Sequence, residues 1–136
     1  MPNPDDYLFE YSVVRYVPRV DREEFINIGL VMLSKRNRWI KGRVMIDQAR
    51  IKAFDPKANI ETLRSQAAFF EKNDIPAPSL PCEEKYRWLT AVKSAVLQVS
   101  PSHPGIIPSQ NVYDGQSTIS LLEKEFDRLF TDLVTL

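Results

Sequence analysis

Cysteine, histidine and glycine are all scarce in this 136-residue chain. It has one cysteine, Cys82, one histidine, His103, and four glycines. A single cysteine excludes a disulfide within the chain and a zinc site built on cysteine pairs. A single histidine excludes the paired spacings of common metal sites. The scattered glycines form no phosphate-binding loop. The sequence therefore predicts neither a metal nor a cofactor.

An excess of charge of one sign and long apolar runs are missing as well. The 18 Lys and Arg residues balance 18 Asp and Glu residues, so the formal net charge is +0. Nucleic-acid-binding domains usually carry a basic excess. The apolar runs are far shorter than the roughly 20 residues that cross a bilayer, and the first residues lack the pattern of a signal peptide. We therefore expect a cytoplasmic protein that does not enter a membrane, and nucleic-acid binding is disfavoured.

What is present is an ordinary globular composition, with 43% hydrophobic and 26% charged residues. Such a chain is long enough for one domain with a normal core. Apolar alternation bounded by turn residues predicts four β-strands, at 8–17, 25–34, 39–46 and 94–100. The second and third strands form a hairpin across residues 35–38.

Helical spacing predicts four helices, at 47–54, from Asp55 to about residue 73, at 83–91 and at 118–134. Asp55 followed by Pro56 is typical of a helix N-terminus. Ser120 and Glu123 have the spacing of a capping box, which would move the start of the last helix to Ser120. Residues 1–6 are expected to be a flexible arm, and 101–115 a long irregular loop. The pattern predicts a single α+β domain, with an antiparallel sheet of about four strands packed against helices on one face.

The second predicted strand contains two residues that do not suit a core strand, Asn27 and Gly29. Under strict alternation, Ile26, Ile28, Leu30 and Met32 share the face under the helices, and Asn27 and Gly29 lie on the other. A glycine here either lets another group approach the backbone or marks a β-bulge.

Polar residues on and beside three of the strands could coincide on one concave surface. This candidate ligand or partner surface consists of Arg15, Glu24, Asn27, Gly29, Ser94, Gln98 and His103, with Ser100 beside them. Arginine, asparagine and histidine together suit anions or carbonyl groups. The alternative is a solvated sheet face whose polar residues have no function. No catalytic residue is identified, because neighbouring carboxylates diverge and the acidic surroundings of Cys82 oppose a thiolate.

A basic cluster lies on the predicted hairpin around Trp39. Its members are Lys35, Arg36, Arg38, Lys41 and Arg43. Such a hairpin could contact phosphates and stack a base. It could equally be a solvated hairpin whose charges protect a sheet edge from aggregation, and the neutral net charge favours this second interpretation.

Three segments resemble a bacterial family of short proteins of unknown function. They are Y-S-V-V-R-Y-V-P at 11–18, R-E-E-F-I-N-I-G-L-V at 22–31 and S-A-V-L-Q-V-S-P-S-H-P-G at 94–105. The resemblance covers roughly residues 8–134. It implies that the motif positions are Arg15, Pro18, Glu24, Asn27, Gly29, Ser94, Gln98, His103 and Gly105. Pro104 departs from the small or threonine-like residue of the pattern, so the local loop is expected to differ.

The resemblance also implies a partner, because such proteins are encoded beside HipA-like kinases. We therefore expect a non-enzymatic accessory or regulatory domain that binds another protein, with a HipA-like kinase as the suspected partner. A small enzyme or an anionic-ligand-binding domain that uses the polar surface is the alternative. Nucleic-acid binding by the basic hairpin ranks third.

Overall fold

The fold is built on one antiparallel sheet. A computed structural model describes residues 4–72, 80–91, 96–108, 112 and 115–135. The strands are β1 (Leu8–Tyr16), β2 (Ile26–Ser34), β3 (Trp39–Val44), β4 (Leu97–Val99) and β5 (His103–Ile106). Their order is β3-β2-β1-β4, and β5 also pairs with β1. The predicted α+β class and antiparallel sheet are confirmed.

Two short strands share one edge of β1. β4 pairs with residues 14–16 of β1, and β5 pairs with residues 8–11. Between them, Ser100 donates its backbone N–H to Val13 O, and its hydroxyl accepts from Val13 N at 2.9 Å. The prediction of one irregular loop over 101–115 is therefore wrong, because β5 lies inside that range. β5 lacks apolar alternation, and as an edge strand it tolerates Pro104.

Side-chain caps set where three of the described helices begin. The helices are α1 (Gln48–Phe54), α2 (Ile60–Lys72), α3 (Cys82–Thr90) and α4 (Thr118–Phe130), followed by a π-helical turn, Thr131–Thr135. Asn59 caps α2, since its Oδ1 accepts from Thr62 N at 3.1 Å. The predicted cap, Asp55, instead ends α1. Its carboxylate accepts from Lys57 N and from the hydroxyl of Tyr16, so it is already occupied.

Two 3-10 turns precede the first two strands. Pro4–Tyr7 leads into β1, and Val20–Arg22 lies between β1 and β2. The prediction of a flexible arm over residues 1–6 is thus wrong for residues 4–6, which belong to the first turn. Residues 1–3 lie outside the described ranges. Within those ranges, no helix combines the length and apolar character that a membrane crossing requires.

Helices cover both faces of the sheet, so the predicted packing on one face is wrong. Val31 and Leu33 of β2 pack with Phe70 of α2 and Leu89 of α3. The alternate residues, Leu30 and Met32, pack in a second core cluster that contains much of α4: Leu121, Leu122, Phe126, Leu129 and Phe130. The reason is visible in β2, where every residue from Ile28 to Ser34 is buried. A strand with both sides apolar needs cover on both faces.

A β-bulge in β2 explains the unusual glycine. Val14 pairs with Gly29, but the next residue, Arg15, pairs with Asn27, so Ile28 is the extra residue. A bulge reverses the alternation on one side of it. Ile28 accordingly joins the cluster under α2 and α3, and Asn27 reaches the C-terminal turn that follows α4. The predicted sheet faces of Asn27 and Ile28 are therefore wrong.

Candidate functional site

A polar row crosses the sheet where β2, β1 and β4 meet. Arg15 is the cross-strand partner of Asn27 on one side and of Gln98 on the other. Directly opposed residues of an antiparallel pair lie on one face. Three members of the predicted surface are therefore neighbours, and we call Asn27, Arg15 and Gln98 the polar row.

Arg15 is held at the centre of the polar row by an aromatic ring. Its Cζ lies 4.2 Å from the centroid of Phe25, within the range of a cation–π contact. Its Nε is closed off from solvent and makes no hydrogen bond. Most buried polar atoms in proteins have a partner, so this orphan donor distinguishes Arg15 from an ordinary surface arginine.

Asn27 attaches the C-terminal turn to the sheet. Its Nδ2 donates to Leu133 O at 3.0 Å. Arg50 Nη1 donates to both Asn27 O and Val134 O, at 2.9 and 2.8 Å. This role in the fold accounts for an asparagine inside an apolar strand. Asn27 Oδ1 nevertheless stays buried without a hydrogen bond. Sequence reasoning missed Arg50, because an arginine in a short helix has the pattern of a solvated residue.

Glu24 lies away from the polar row. It lines a cleft of ≈ 500 Å³ with Tyr16 and Asp55, and its carboxylate pairs with Arg22 at 2.8 Å. The Tyr16 hydroxyl donates to Asp55 Oδ2 at 2.6 Å. Burial and this carboxylate raise the pKa of Tyr16 to about 12. Tyr16 follows Arg15 in β1 and so faces the opposite side of the sheet.

His103 and two other members of the predicted surface also lie elsewhere. His103 is exposed and pairs with Tyr11 across β1 and β5, with ring centroids 5.3 Å apart. Tyr11 precedes Arg15 by four residues, about 13 Å along a strand, so His103 is beyond hydrogen-bonding reach of Arg15. Gly29 belongs to the bulge. Ser94 lies outside the described residues, and Ser100 is buried beside Val13.

A chain of hydroxyl groups, absent from the predicted surface, joins α3 to the sheet. The Tyr86 hydroxyl lies 2.8 Å from Ser12 Oγ and 2.8 Å from Ser102 Oγ. Burial raises the pKa of Tyr86, although both hydrogen bonds oppose the shift. The three residues are far apart in sequence and no local motif joins them. The hydroxyl chain fixes α3 against β1, and burial, rather than these hydrogen bonds, keeps the phenol neutral.

Most of the basic hairpin is engaged within the chain. The carboxylate partners are Glu83 for Lys35, Asp6 for Arg36 and Glu123 for Lys41, while Arg43 stacks on Phe130 with 4.6 Å to the ring centroid. Arg38 is exposed at a positive φ of 50°. Three of the five cations therefore have a carboxylate partner, while Arg38 and Arg43 have none among the described residues. No cluster of three His, Cys, Asp or Glu side chains that could share a metal ion occurs in the described part of the chain.

An apolar surface remains open at the far end of β1. Leu8 and Ile106 are cross-strand partners with 46% and 53% of their surface exposed. Beside them is a groove of ≈ 450 Å³ whose lining includes Leu8, Phe9, Leu33 and Pro104. We call Leu8, Phe9, Leu33, Pro104 and Ile106 the apolar shelf. Glu10, Lys35 and Arg36 line its groove as well.

These features define a small α+β domain with a polar row and, at the other end of β1, an open apolar shelf. The chain matches the family model described as "Protein of unknown function (DUF3037)" over residues 11–134. It therefore belongs to that family. Neither a search of curated proteins nor a search of solved structures gave a match.

Proposed function

We propose that the protein is a non-enzymatic accessory or regulatory domain that binds another protein through the apolar shelf. The observation that carries this proposal is the exposure of two aliphatic side chains, Leu8 and Ile106, beside an apolar groove. Single exposed apolar residues are normal, but contiguous ones beside a groove mark interaction sites. The charged side chains around the groove supply the polar rim that such interfaces have.

The geometry of β5 indicates how the partner docks. Ile107 N donates to Tyr7 O, so residues 105 and 103 also direct their backbone groups towards β1. The backbone groups of Pro104 and Ile106 then point away from β1, towards the open edge of the sheet. Because Pro104 has no N–H, this edge offers little to an added strand. The partner therefore binds by inserting side chains into the groove, with an apolar anchor as the main contributor.

A HipA-like kinase is the partner to test first, since the resemblance of the sequence motifs implies it. The experiment is isothermal titration calorimetry of the purified protein with the HipA-like kinase encoded in the same genome. Ile106→Asp places a charge on the apolar shelf and should weaken binding at least tenfold, or by about 1.4 kcal/mol. Ile119→Asp is the matched control, because Ile119 is 40% exposed but lies near the start of α4.

Circular dichroism first establishes that both variants fold. Binding that Ile106→Asp weakens and Ile119→Asp leaves unchanged supports the proposal. Equal affinities for wild type and Ile106→Asp would show that the shelf is not the interface. A wild-type protein that does not bind the kinase would remove the kinase as partner.

A further inference from the structure

The centre of the polar row holds a cation, the guanidinium of Arg15. Arg15 is only partly exposed, and the residues opposite it in both neighbouring strands, Asn27 and Gln98, are neutral amides. Its guanidinium contacts the ring of Phe25. Within the described part of the chain, no carboxylate forms an ion pair with Arg15.

Several other arginines of the chain form ion pairs. Arg19 pairs with Asp21, Arg22 with Glu24 and Arg128 with Glu125. The first two pairs are on the surface, where a counter-ion is least needed, whereas the Glu125 carboxylate of the third pair is buried. Removing a charge from water without pairing it is costly. Among the described residues, Arg15 and Arg50 are the partly buried arginines, and Arg50 donates to two backbone carbonyls. Arg15 is thus the arginine whose charge most needs an anion.

The surroundings of Arg15 favour an incoming anion. Phe25 is 45% exposed, so the stacked pair is open to solvent. Arg50 bonds to the backbone of Asn27 from its other side and adds a second cation near the row. Nε of Arg15 is closed off, so the Nη end of the guanidinium is the part left for a ligand.

We propose that Arg15 binds a carboxylate group supplied by a ligand, in a site completed by Phe25 and Asn27. A guanidinium matches the planar carboxylate with two parallel hydrogen bonds. A phosphate dianion is often held by several backbone N–H groups at a helix N-terminus or a nest, whereas Arg15 is one cation between two neutral amides in a strand. The site is distinct from the apolar shelf: Leu8 is seven residues away, about 23 Å along β1.

The test is an NMR titration of the ¹⁵N-labelled protein with sodium acetate, against sodium chloride at matched ionic strength. The expected result is saturable shifts of the Arg15 side-chain and Phe25 signals with acetate only. Arg15→Gln should abolish them. Arg43→Gln is the matched control, because Arg43 is also stacked on a ring, that of Phe130, and this variant should bind acetate like wild type.

Two further titrations identify the source and class of the ligand. A short capped peptide with one glutamate that binds more tightly than acetate indicates an acidic side chain of a protein. Equal affinities indicate a free small carboxylic acid. Tighter binding of inorganic phosphate than of acetate would overturn the choice of a carboxylate. Acetate shifts that persist in Arg15→Gln, or that never saturate, would overturn the site itself.

A stability measurement separates binding from a role in folding. If Arg15 is kept for a ligand, Arg15→Met removes an uncompensated charge, and the free protein should unfold at a higher urea concentration. A lower midpoint would show that the arginine serves the packing of Phe25 and would count against the proposal. The same measurement also shows whether the position tolerates substitution.

Discussion

At the scale of single residues, the bulge at Ile28 decides which side chains meet. The sheet brings together Arg15, Asn27 and Gln98, three of the residues that alternation along the sequence had placed on one candidate surface. Alternation assigned Ile28 and Asn27 to the wrong faces, because a period of two cannot show an extra residue in a strand. The glycine was the available signal, and a bulge was one of its two interpretations. Arg50 gave no signal, since its partners are backbone carbonyls far along the chain.

Gly29→Ala should destabilise the protein by about 1–3 kcal/mol, the usual cost of overpacking a core. A Cβ at this position would lie 2.8 Å from Arg43 O and 2.9 Å from Val44 Cγ2, and the backbone oxygen cannot move aside cheaply. Urea unfolding followed by circular dichroism measures the change.

Gly115→Asn is the control for this substitution. Gly115 has a φ of 85° and no atom within contact distance of an added Cβ, and asparagine tolerates positive φ better than most residues. Its midpoint should stay close to that of wild type. If Gly29→Ala also unfolds at the wild-type midpoint, close packing is not the reason for glycine in the bulge.

At the scale of elements, the sequence predicted which strands and helices exist better than it predicted where they begin and end. The strands β1, β2 and β3 begin and end within a few residues of their expected positions, and the four helices are present. The errors lie at caps and at the sheet edge. Asp55 and Ser120 both have cap chemistry, but Asp55 is engaged by Tyr16, and Ser120 donates its N–H to another cap, Ser117. Competition between local caps depends on tertiary contacts, which sequence spacing does not contain.

Ser117→Ala should cost about 1 kcal/mol, the typical value of an N-cap, because Ser117 Oγ accepts from Ser120 N at 3.1 Å at the start of α4. Ser120→Ala leaves that backbone donor in place and should cost much less. The free energy of unfolding of both variants in urea distinguishes the two start positions. A larger loss of stability in Ser120→Ala than in Ser117→Ala would support the predicted capping box at Ser120 instead.

At the scale of the whole molecule, β2 joins two core clusters on opposite faces of one sheet. Phe70 belongs to the cluster under α2 and α3, and Trp39 to the cluster under α4. Alternate residues of β2 contribute to both clusters, so neither cluster can lose its structure without exposing the strand. The sequence contained this information in the apolar run of β2, which is typical of a strand covered on both sides.

Phe70→Ala should lower the stability of both clusters together, by about 3–5 kcal/mol. Trp39 reports on the other cluster, and it is the only remaining tryptophan in a Trp88→Phe background. We expect Trp39 fluorescence and far-UV circular dichroism to give one coincident transition in that background, with and without Phe70→Ala. A Trp39 transition that stays at its original midpoint while the helical signal shifts would mean that the two clusters unfold separately.

The two outer strands of the sheet have a consequence for inhibitor design. On one side Glu71 of α2 accepts from Val44 N, at the end of β3, and on the other Pro104 removes an outward donor from β5. Peptidomimetics that imitate an extended strand would therefore lose one backbone hydrogen-bond partner on each side. Scaffolds that present a rigid apolar side chain, such as a short helix or a macrocycle, are the better starting point for a compound that tests the proposed interface at the apolar shelf.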